Sequence, residues 1–114
     1  MKPARYKPDR GDLVFLQFTP HAGHEQAGHR PGLVLSPRKF NLAVGLAFVA
    51  PITSHARGSA FEVPLPPKGR ITGVVLSHHT KSVDWSSRQI TFHSRAPKQV
   101  LDAVLERVGL ILEL

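Results

Sequence analysis

The chain has 114 residues, a length that suits one domain, and we expect residues 1–114 to form a single domain. Its composition, 41% hydrophobic and 20% charged, is typical of globular proteins and excludes a disordered chain. Because the chain has no cysteine, disulfides, thiolate metal sites and cysteine nucleophiles are excluded. The formal net charge of +7 indicates a polyanionic partner, since lysine and arginine release condensed counterions when they meet phosphates.

No segment of the sequence predicts export or membrane insertion. The N-terminal stretch Met1–Asp12 is polar and contains prolines, unlike a signal peptide. The longest nearly apolar run, Leu42–Ile52, is about half of the roughly 20 residues that a membrane span needs. We therefore expect a cytoplasmic protein with no membrane association.

Short runs of β-forming residues, separated by glycine and proline, predict a series of strands. The expected strands are Asp12–Phe18, Gly32–Leu35, Gly45–Pro51, Phe61–Leu65, Gly73–Leu76, Thr80–Val83 and Gln89–His93. Between the first two lies a polar loop, Thr19–Arg30, of a length that is more often functional than idle. Residues 38–44 are expected to be a connector, and Thr53–Ser59 a loop of small residues.

Only the C-terminal segment has a helical period, with apolar residues at steps of three and four from Leu101 to Leu112. Pro97 fits the first helical position, and Gly109 should weaken the last turn by about 1 kcal/mol relative to alanine. Many short strands before one helix predict a mainly β fold, a small, strongly bent antiparallel barrel with a C-terminal α-helix. The pattern alone does not separate an SH3-like barrel from an OB-like barrel.

Five short motifs follow one another along the chain and carry a family resemblance. They are R-G-D-L-V at 10–14, E-Q-x-G-x-R-P at 25–31, V-L-S-P at 34–37, P-I-T-S at 51–54 and K-S-V-D-W at 81–85. A lone R-P pair would carry no information, but this ordered set is highly specific. On these residues the chain resembles the MazF/PemK family of toxins from type II toxin–antitoxin systems.

The resemblance implies an SH3-like barrel, a homodimer and sequence-specific cleavage of single-stranded RNA. It also implies neutralisation by a partner antitoxin, which we expect to be acidic because the toxin is basic. The family places a catalytic arginine and a catalytic threonine at the positions of Arg30 and Thr53.

The residues themselves favour cleavage of RNA without a metal or any other cofactor. RNA carries its own nucleophile, the 2′-hydroxyl beside each phosphate. An enzyme then needs a base, positive charge for the phosphorane and help for the leaving 5′-oxygen. The acidic residues are scattered, with no paired-carboxylate motif for a two-metal site, and no zinc-ligand spacing is evident among the histidines. We therefore expect no bound metal.

Three residues are the candidate catalytic groups. Arg30 is expected to bind and stabilise the phosphate, because a guanidinium stays charged and matches two phosphate oxygens at once. Thr53 is expected to donate its hydroxyl to a non-bridging oxygen, although a threonine at a turn often bonds its own backbone. Glu25 is the candidate base, with structural orientation of Arg30 as its alternative role, and a histidine, His24 or His29, could act as base instead.

A second set of residues is expected to contact the RNA chain. It comprises His24, His29, Arg57, His78, His79 and Lys81. Family members often have Asp-Gln where this chain has the two adjacent histidines, so a changed RNA recognition sequence is expected. Trp85 or Phe18 could stack on a splayed base, although a core or interface position is the favoured interpretation of Trp85.

Two other functional classes compete with a ribonuclease. A non-enzymatic, CcdB-like toxin would share the architecture and act by binding DNA gyrase. A small RNA-binding barrel would bind without chemistry. The Glu25–Arg30 loop and Thr53 argue against both, because a pure binder has no need of catalytic groups.

Overall fold

The computed structural model describes residues 5–18 and 29–114, so two expected site residues, His24 and Glu25, lie outside the described ranges. The elements of the described part, in chain order, are β1 (Asp12–Gln17), β2 (His29–Val34), α1 (Arg38–Val44), β3 (Ala47–Thr53), β4 (Glu62–Pro64), β5 (Val74–Leu76), a 3-10 turn (Ser77–His79), β6 (Lys81–Val83), β7 (Thr91–Arg95) and α2 (Lys98–Leu112).

The strands pair antiparallel in the order β4-β5-β3-β2-β1-β7. Strand β6 lies off this path and pairs with β3. Strand β3 therefore changes partner along its length, pairing with β6 through Ala47–Val49 and with β5 through Ile52 and Thr53. The expected mainly β, antiparallel fold with a C-terminal helix is confirmed, although the pairings described here form an open path from β4 to β7.

The two faces of the sheet support two apolar cores, because successive residues of a strand point to opposite faces. On β1, Leu13 belongs to one core, while Val14 and Leu16 belong to the other. Helix α2 covers the first core with Val100 and Val104, both buried. The second core includes Phe18, which also lines the site described below.

Helix α1 occupies the segment that the sequence predicted only as a connector. It begins after Pro37 and ends at Gly45, whose φ of 83° gives the left-handed C-cap that glycine adopts readily. Fully buried Asn41 anchors it by donating from its side-chain amide to the carbonyl oxygens of Pro8, at 2.9 Å, and Ser36, at 3.0 Å. These tertiary bonds stabilise a seven-residue helix that would be marginal alone.

Helix α2 begins at Lys98, so Pro97 is its N-cap and not its first helical residue as predicted, and the helix continues past Gly109 to Leu112. Its apolar stripe extends beyond the core that it covers, because Ile111 and Leu112 are 44% and 61% exposed. Within residues 5–18 and 29–114, no helix combines the length and the apolar character needed to cross a membrane.

A buried carboxylate fixes the start of the sheet. Asp12, only 2% exposed, accepts hydrogen bonds from the Tyr6 hydroxyl and from the Asp9 backbone N–H at 3.0 Å. The guanidinium of Arg95, on β7, compensates the Asp12 charge with its Nη1 2.8 Å from Asp12 Oδ1. Burial, together with the bond to Asp12, raises the pKa of Tyr6 well above its ordinary value.

Candidate active site

A cavity of about 720 Å³ opens where β2 begins and β3 ends, beside the 3-10 turn and β6. Its floor is made by Phe18 and Pro51, and Leu76 lies at its side. The polar residues that line it are Arg30, Thr53, His55, Arg57, Ser59, Glu62, His78, His79 and Lys81. Six of the residues predicted from the sequence thus meet in one place: Arg30, Thr53, Arg57, His78, His79 and Lys81.

Strand alternation brings Arg30 into this cavity. Arg30 pairs with Leu16 of β1 and shares its face of β2 with Gly32, which pairs with Pro51 of β3. Gly32 also makes room for the floor, because a Cβ there would lie 2.9 Å from the Phe18 ring and 2.7 Å from the Val49 side chain. The exposed Arg30 side chain is therefore carried by a strand whose neighbours are tightly packed.

Thr53, the last residue of β3, faces the same cavity. Its Oγ1 accepts a hydrogen bond from the backbone N–H of His55 at 3.1 Å. A threonine hydroxyl has two acceptor lone pairs and one O–H donor. The local backbone bond foreseen from the sequence is therefore present, and it leaves the donor of Thr53 available to a ligand oxygen.

Lys81 and the histidine pair form the opposite side of the cavity. Lys81 pairs with Val49 of β3 and holds its Nζ 5.7 Å from the centre of the Phe18 ring, a cation–π distance. The His78 and His79 rings meet edge to face with centroids 4.4 Å apart. The turn that carries them is fixed by Thr80, whose hydroxyl donates to the Ser77 carbonyl at 2.8 Å.

His29 is not brought to the cavity. The strand β2 begins at His29, so His29 and Arg30 point to opposite faces of the sheet. The His29 ring stacks on Phe15, with centroids 6.0 Å apart and planes at 22°. The sequence predicted a strand that begins at Gly32, which left His29 and Arg30 together in the preceding loop.

Trp85 is a core residue, which was the favoured interpretation of the sequence. It is 8% exposed, packs in the second core and donates from Nε1 to the Asn41 carbonyl at 3.2 Å. Phe18 is equally buried, yet its ring edge reaches the cavity. Of the two aromatic candidates for base stacking, the structure places only Phe18 at the site.

Three polar residues of the cavity were not predicted from the sequence: His55, Ser59 and Glu62. His55 follows Thr53 by two positions and lay in a segment expected to be an ordinary loop. Glu62 was counted only among the scattered acids, although its position at the start of a short strand after that loop was a usable signal. Among the described lining residues Glu62 is the one carboxylate, against the cations Arg30, Arg57 and Lys81.

The described residues hold no cluster of three or more histidine, aspartate or glutamate side chains arranged to bind a metal ion. The cavity instead combines guanidinium, ammonium, hydroxyl and imidazole groups around an aromatic floor. Such a set suits a phosphodiester, because charged donors meet its oxygens while an aromatic ring meets a base. Fold and site together define a small β protein with a cationic cavity whose donor groups match those of a phosphate site.

Comparison with known proteins identifies the family. The model for PemK-like, MazF-like toxins of type II toxin–antitoxin systems matches residues 9–112. The endoribonuclease toxin MazF of Escherichia coli K12 is 37% identical over 109 residues, covering 96% of this chain and 97% of that protein. The endoribonuclease toxin ChpB of the same strain is 39% identical over 110 residues, covering 92% and 94%.

Solved structures agree with the sequence comparison. Crystalline MazF of Deinococcus radiodurans matches with a TM-score of 0.87 and 48% identity, covering 96% of this chain and 100% of that chain. A MazE–MazF complex of the same organism matches with a TM-score of 0.85 and 43% identity, covering 96% and 99%. The chain belongs to the PemK-like, MazF-like toxins of type II toxin–antitoxin systems, and the family predicted from the motifs is confirmed.

Proposed function

We propose that this toxin is an endoribonuclease that cuts single-stranded RNA at a short recognition sequence, without a metal, in the cytoplasm. One observation carries the proposal: the guanidinium of Arg30 and the hydroxyl of Thr53 open into the same cavity, which Arg57 and Lys81 make positive. The relatives named above as endoribonuclease toxins support the reaction class.

The proposed step is an internal transesterification. The ribose 2′-oxygen attacks the adjacent phosphorus as its proton passes to a base, and the bond from phosphorus to the 5′-oxygen breaks. That oxygen takes up a proton, so the products end in a 2′,3′-cyclic phosphate and a 5′-hydroxyl. Negative charge grows on the non-bridging oxygens, where fixed donors contribute most.

Arg30 and Thr53 are the proposed catalytic groups of the described cavity. Arg30 would hold two phosphate oxygens with its planar fork of donors, and its charge would stabilise the phosphorane. Thr53 would add one O–H donor, since the bond from His55 occupies only an acceptor site of its hydroxyl. The proposed base is Glu25, with His24 as its alternative. His29, the other histidine considered as a base, points to the opposite face of β2 from Arg30.

The remaining cavity residues are proposed to bind the RNA chain. Lys81 and Arg57 would meet backbone phosphates, and the His78–His79 pair would contact a base or phosphate beside the aromatic floor. His29 is also assigned to RNA, but it would serve a different stretch of the strand from Arg30, because the two lie on opposite faces.

An acidic antitoxin is the proposed inhibitor. The MazE–MazF complex among the similar structures pairs a toxin with its partner, and an extended acidic segment would match the cations of this cavity. We also propose a homodimer. Exposed apolar side chains such as Leu42, Val44 and Phe48, which are 47%, 52% and 44% exposed, provide a surface for a second copy.

The proposed function is tested by sequencing the cut ends of a complex RNA pool treated with the protein in the presence of EDTA. We expect cuts at one short sequence, with 2′,3′-cyclic phosphate ends, which a phosphatase alone leaves intact and a 2′,3′-cyclic phosphodiesterase opens. The matched control is an oligonucleotide with a single 2′-deoxy sugar at the scissile position, which should stay intact. Equal cutting of that oligonucleotide, or loss of cutting in EDTA, would contradict the mechanism.

A further inference from the structure

One wall of the cavity, residues 54–60, has no regular secondary structure. It follows Thr53 and carries both His55 and Arg57, whose side chains line the cavity and are exposed. Chain of this kind moves readily unless its backbone groups are bonded. The hydrogen bonds that hold this wall therefore decide where its two cavity side chains lie.

Glu62 provides the bonds in the middle of the wall. Its Oε1 accepts from the backbone N–H of Arg57 at 3.2 Å and of Gly58 at 3.1 Å, and its Oε2 accepts from Arg57 at 3.0 Å. Gly58 has a φ of 83°, a left-handed conformation that turns successive N–H groups toward one point. The Glu62 carboxylate is therefore bound by the backbone N–H groups of a turn at Arg57 and Gly58, in the way that such turns bind anions.

The ends of the wall are fixed separately. At the start, the N–H of His55 donates to Thr53 Oγ1, and at the end, the N–H of Glu62 donates to the Ser59 carbonyl at 3.2 Å. Arg107 of helix α2 reaches over to the Ala60 carbonyl with its Nε at 3.0 Å. Removing the Glu62 carboxylate should thus free the middle of the wall without detaching its ends.

We infer that Glu62 is a positioning residue, whose carboxylate holds His55 and Arg57 over the cavity and thereby sets the affinity for RNA. The inference rests on the proposed ribonuclease function. Both Glu62 oxygens accept hydrogen bonds from the Arg57 and Gly58 backbone donors, so the structure gives this carboxylate a role in holding the wall.

The test compares Glu62→Ala and Glu62→Gln with the wild-type protein and with Glu113→Gln, which makes the same chemical change at the exposed end of α2. Glu62→Ala should raise KM for RNA at least about tenfold and change kcat by less, because it loosens binding side chains and leaves Arg30 and Thr53 in place. Glu62→Gln keeps one acceptor oxygen, so its KM for RNA should lie between those of the wild type and Glu62→Ala. Glu113→Gln should have the wild-type KM.

Amide hydrogen exchange separates this inference from the proposed function, since it needs no RNA. In Glu62→Ala the N–H groups of Arg57 and Gly58 should exchange at least tenfold faster, while strand amides such as that of Val49 keep their wild-type rates. Unchanged exchange at those two groups would overturn the inference even if activity fell. The inference would also be overturned if both Glu62 variants lowered kcat alone and lost the rising limb of the pH–rate profile. That result would make Glu62 a proton acceptor. If the wild-type protein cuts no RNA, the proposed function fails, whereas exchange still reports whether Glu62 holds the wall.

Discussion

Replacing Gly73 with alanine should damage both the fold and the site, because this glycine lies against the backbone of Thr53. Its φ of +108° is one that residues with a side chain rarely adopt. A Cβ at this position would lie 2.2 Å from the carbonyl oxygen of Thr53 and 3.0 Å from Ser54 Cα. Since non-bonded heavy atoms normally sit about 3.5 Å apart, the end of β3 would have to move by about 1 Å.

Gly45 provides a matched control for the size of this effect. Its φ is +83°, but a Cβ there would meet nothing within 4 Å. Gly45→Ala should therefore cost only the left-handed backbone strain, about 1–2 kcal/mol. Gly73→Ala adds the collision with the Thr53 backbone, about 1–3 kcal/mol. For a domain of this size, Gly45→Ala should lower the Tm by roughly 6 °C and Gly73→Ala by roughly 15 °C.

The assay is thermal unfolding followed by circular dichroism, together with RNA cleavage at a temperature where both variants remain folded. Gly73→Ala should cut RNA at least about tenfold more slowly, because displacement of Thr53 disturbs the alignment at phosphorus. Gly45→Ala should keep the wild-type rate. Equal losses of Tm in the two variants, or full activity of a folded Gly73→Ala protein, would refute this reasoning.

Three further predictions concern single side chains. Because the pKa of Tyr6 is raised in the folded protein, the Tyr6 hydroxyl ionises near pH 10 only in the unfolded chain. The contribution of Tyr6 to the free energy of unfolding is therefore complete below about pH 10 and is lost as the pH rises above it. Urea unfolding should show that loss in the wild type and a smaller one in Tyr6→Phe; parallel losses would contradict it. Asn41→Ala should lower the free energy of unfolding by about 3 kcal/mol, since it strands buried carbonyls, and a loss below about 1 kcal/mol in urea unfolding would contradict this. Arg30→Ala should slow RNA cleavage at least about 100-fold without rescue by Arg30→Lys, and a near-wild-type rate in either would remove Arg30 from the proposed mechanism.

The sequence predicted those parts of the fold that depend on local pattern. A run of β-forming residues indicated β1, and the three- and four-residue steps of apolar residues indicated α2. Helix α1 was not predicted because it has seven residues and no apolar period. It also depends on a hydrogen bond from Asn41 to Pro8, which is distant in sequence. A short helix of this kind is stabilised by tertiary contacts that no local window contains.

The candidate site was predictable where motif letters carry the chemistry and unpredictable where strand boundaries decide direction. Arg30 and Thr53 were found from motifs, and both line the cavity. His29 was expected at the same site as Arg30 because the strand was predicted to begin three residues after His29, at Gly32. Since strand residues alternate, that shift in the boundary decides whether two neighbours share a face. Glu62 was missed because its role depends on bonds to the backbone of a loop.

The same alternation ties the cavity to the core beneath it. On β3, Val49 and Thr53 share a face, so one face passes from core packing to cavity lining within four residues. Phe18 belongs to both, since it packs in the second core and lies under the ammonium group of Lys81. A side chain at Gly32 would strike Phe18 and Val49 together. The geometry of the proposed phosphate site is therefore set by core packing, and changes in that core should alter activity even where they leave every cavity side chain unchanged.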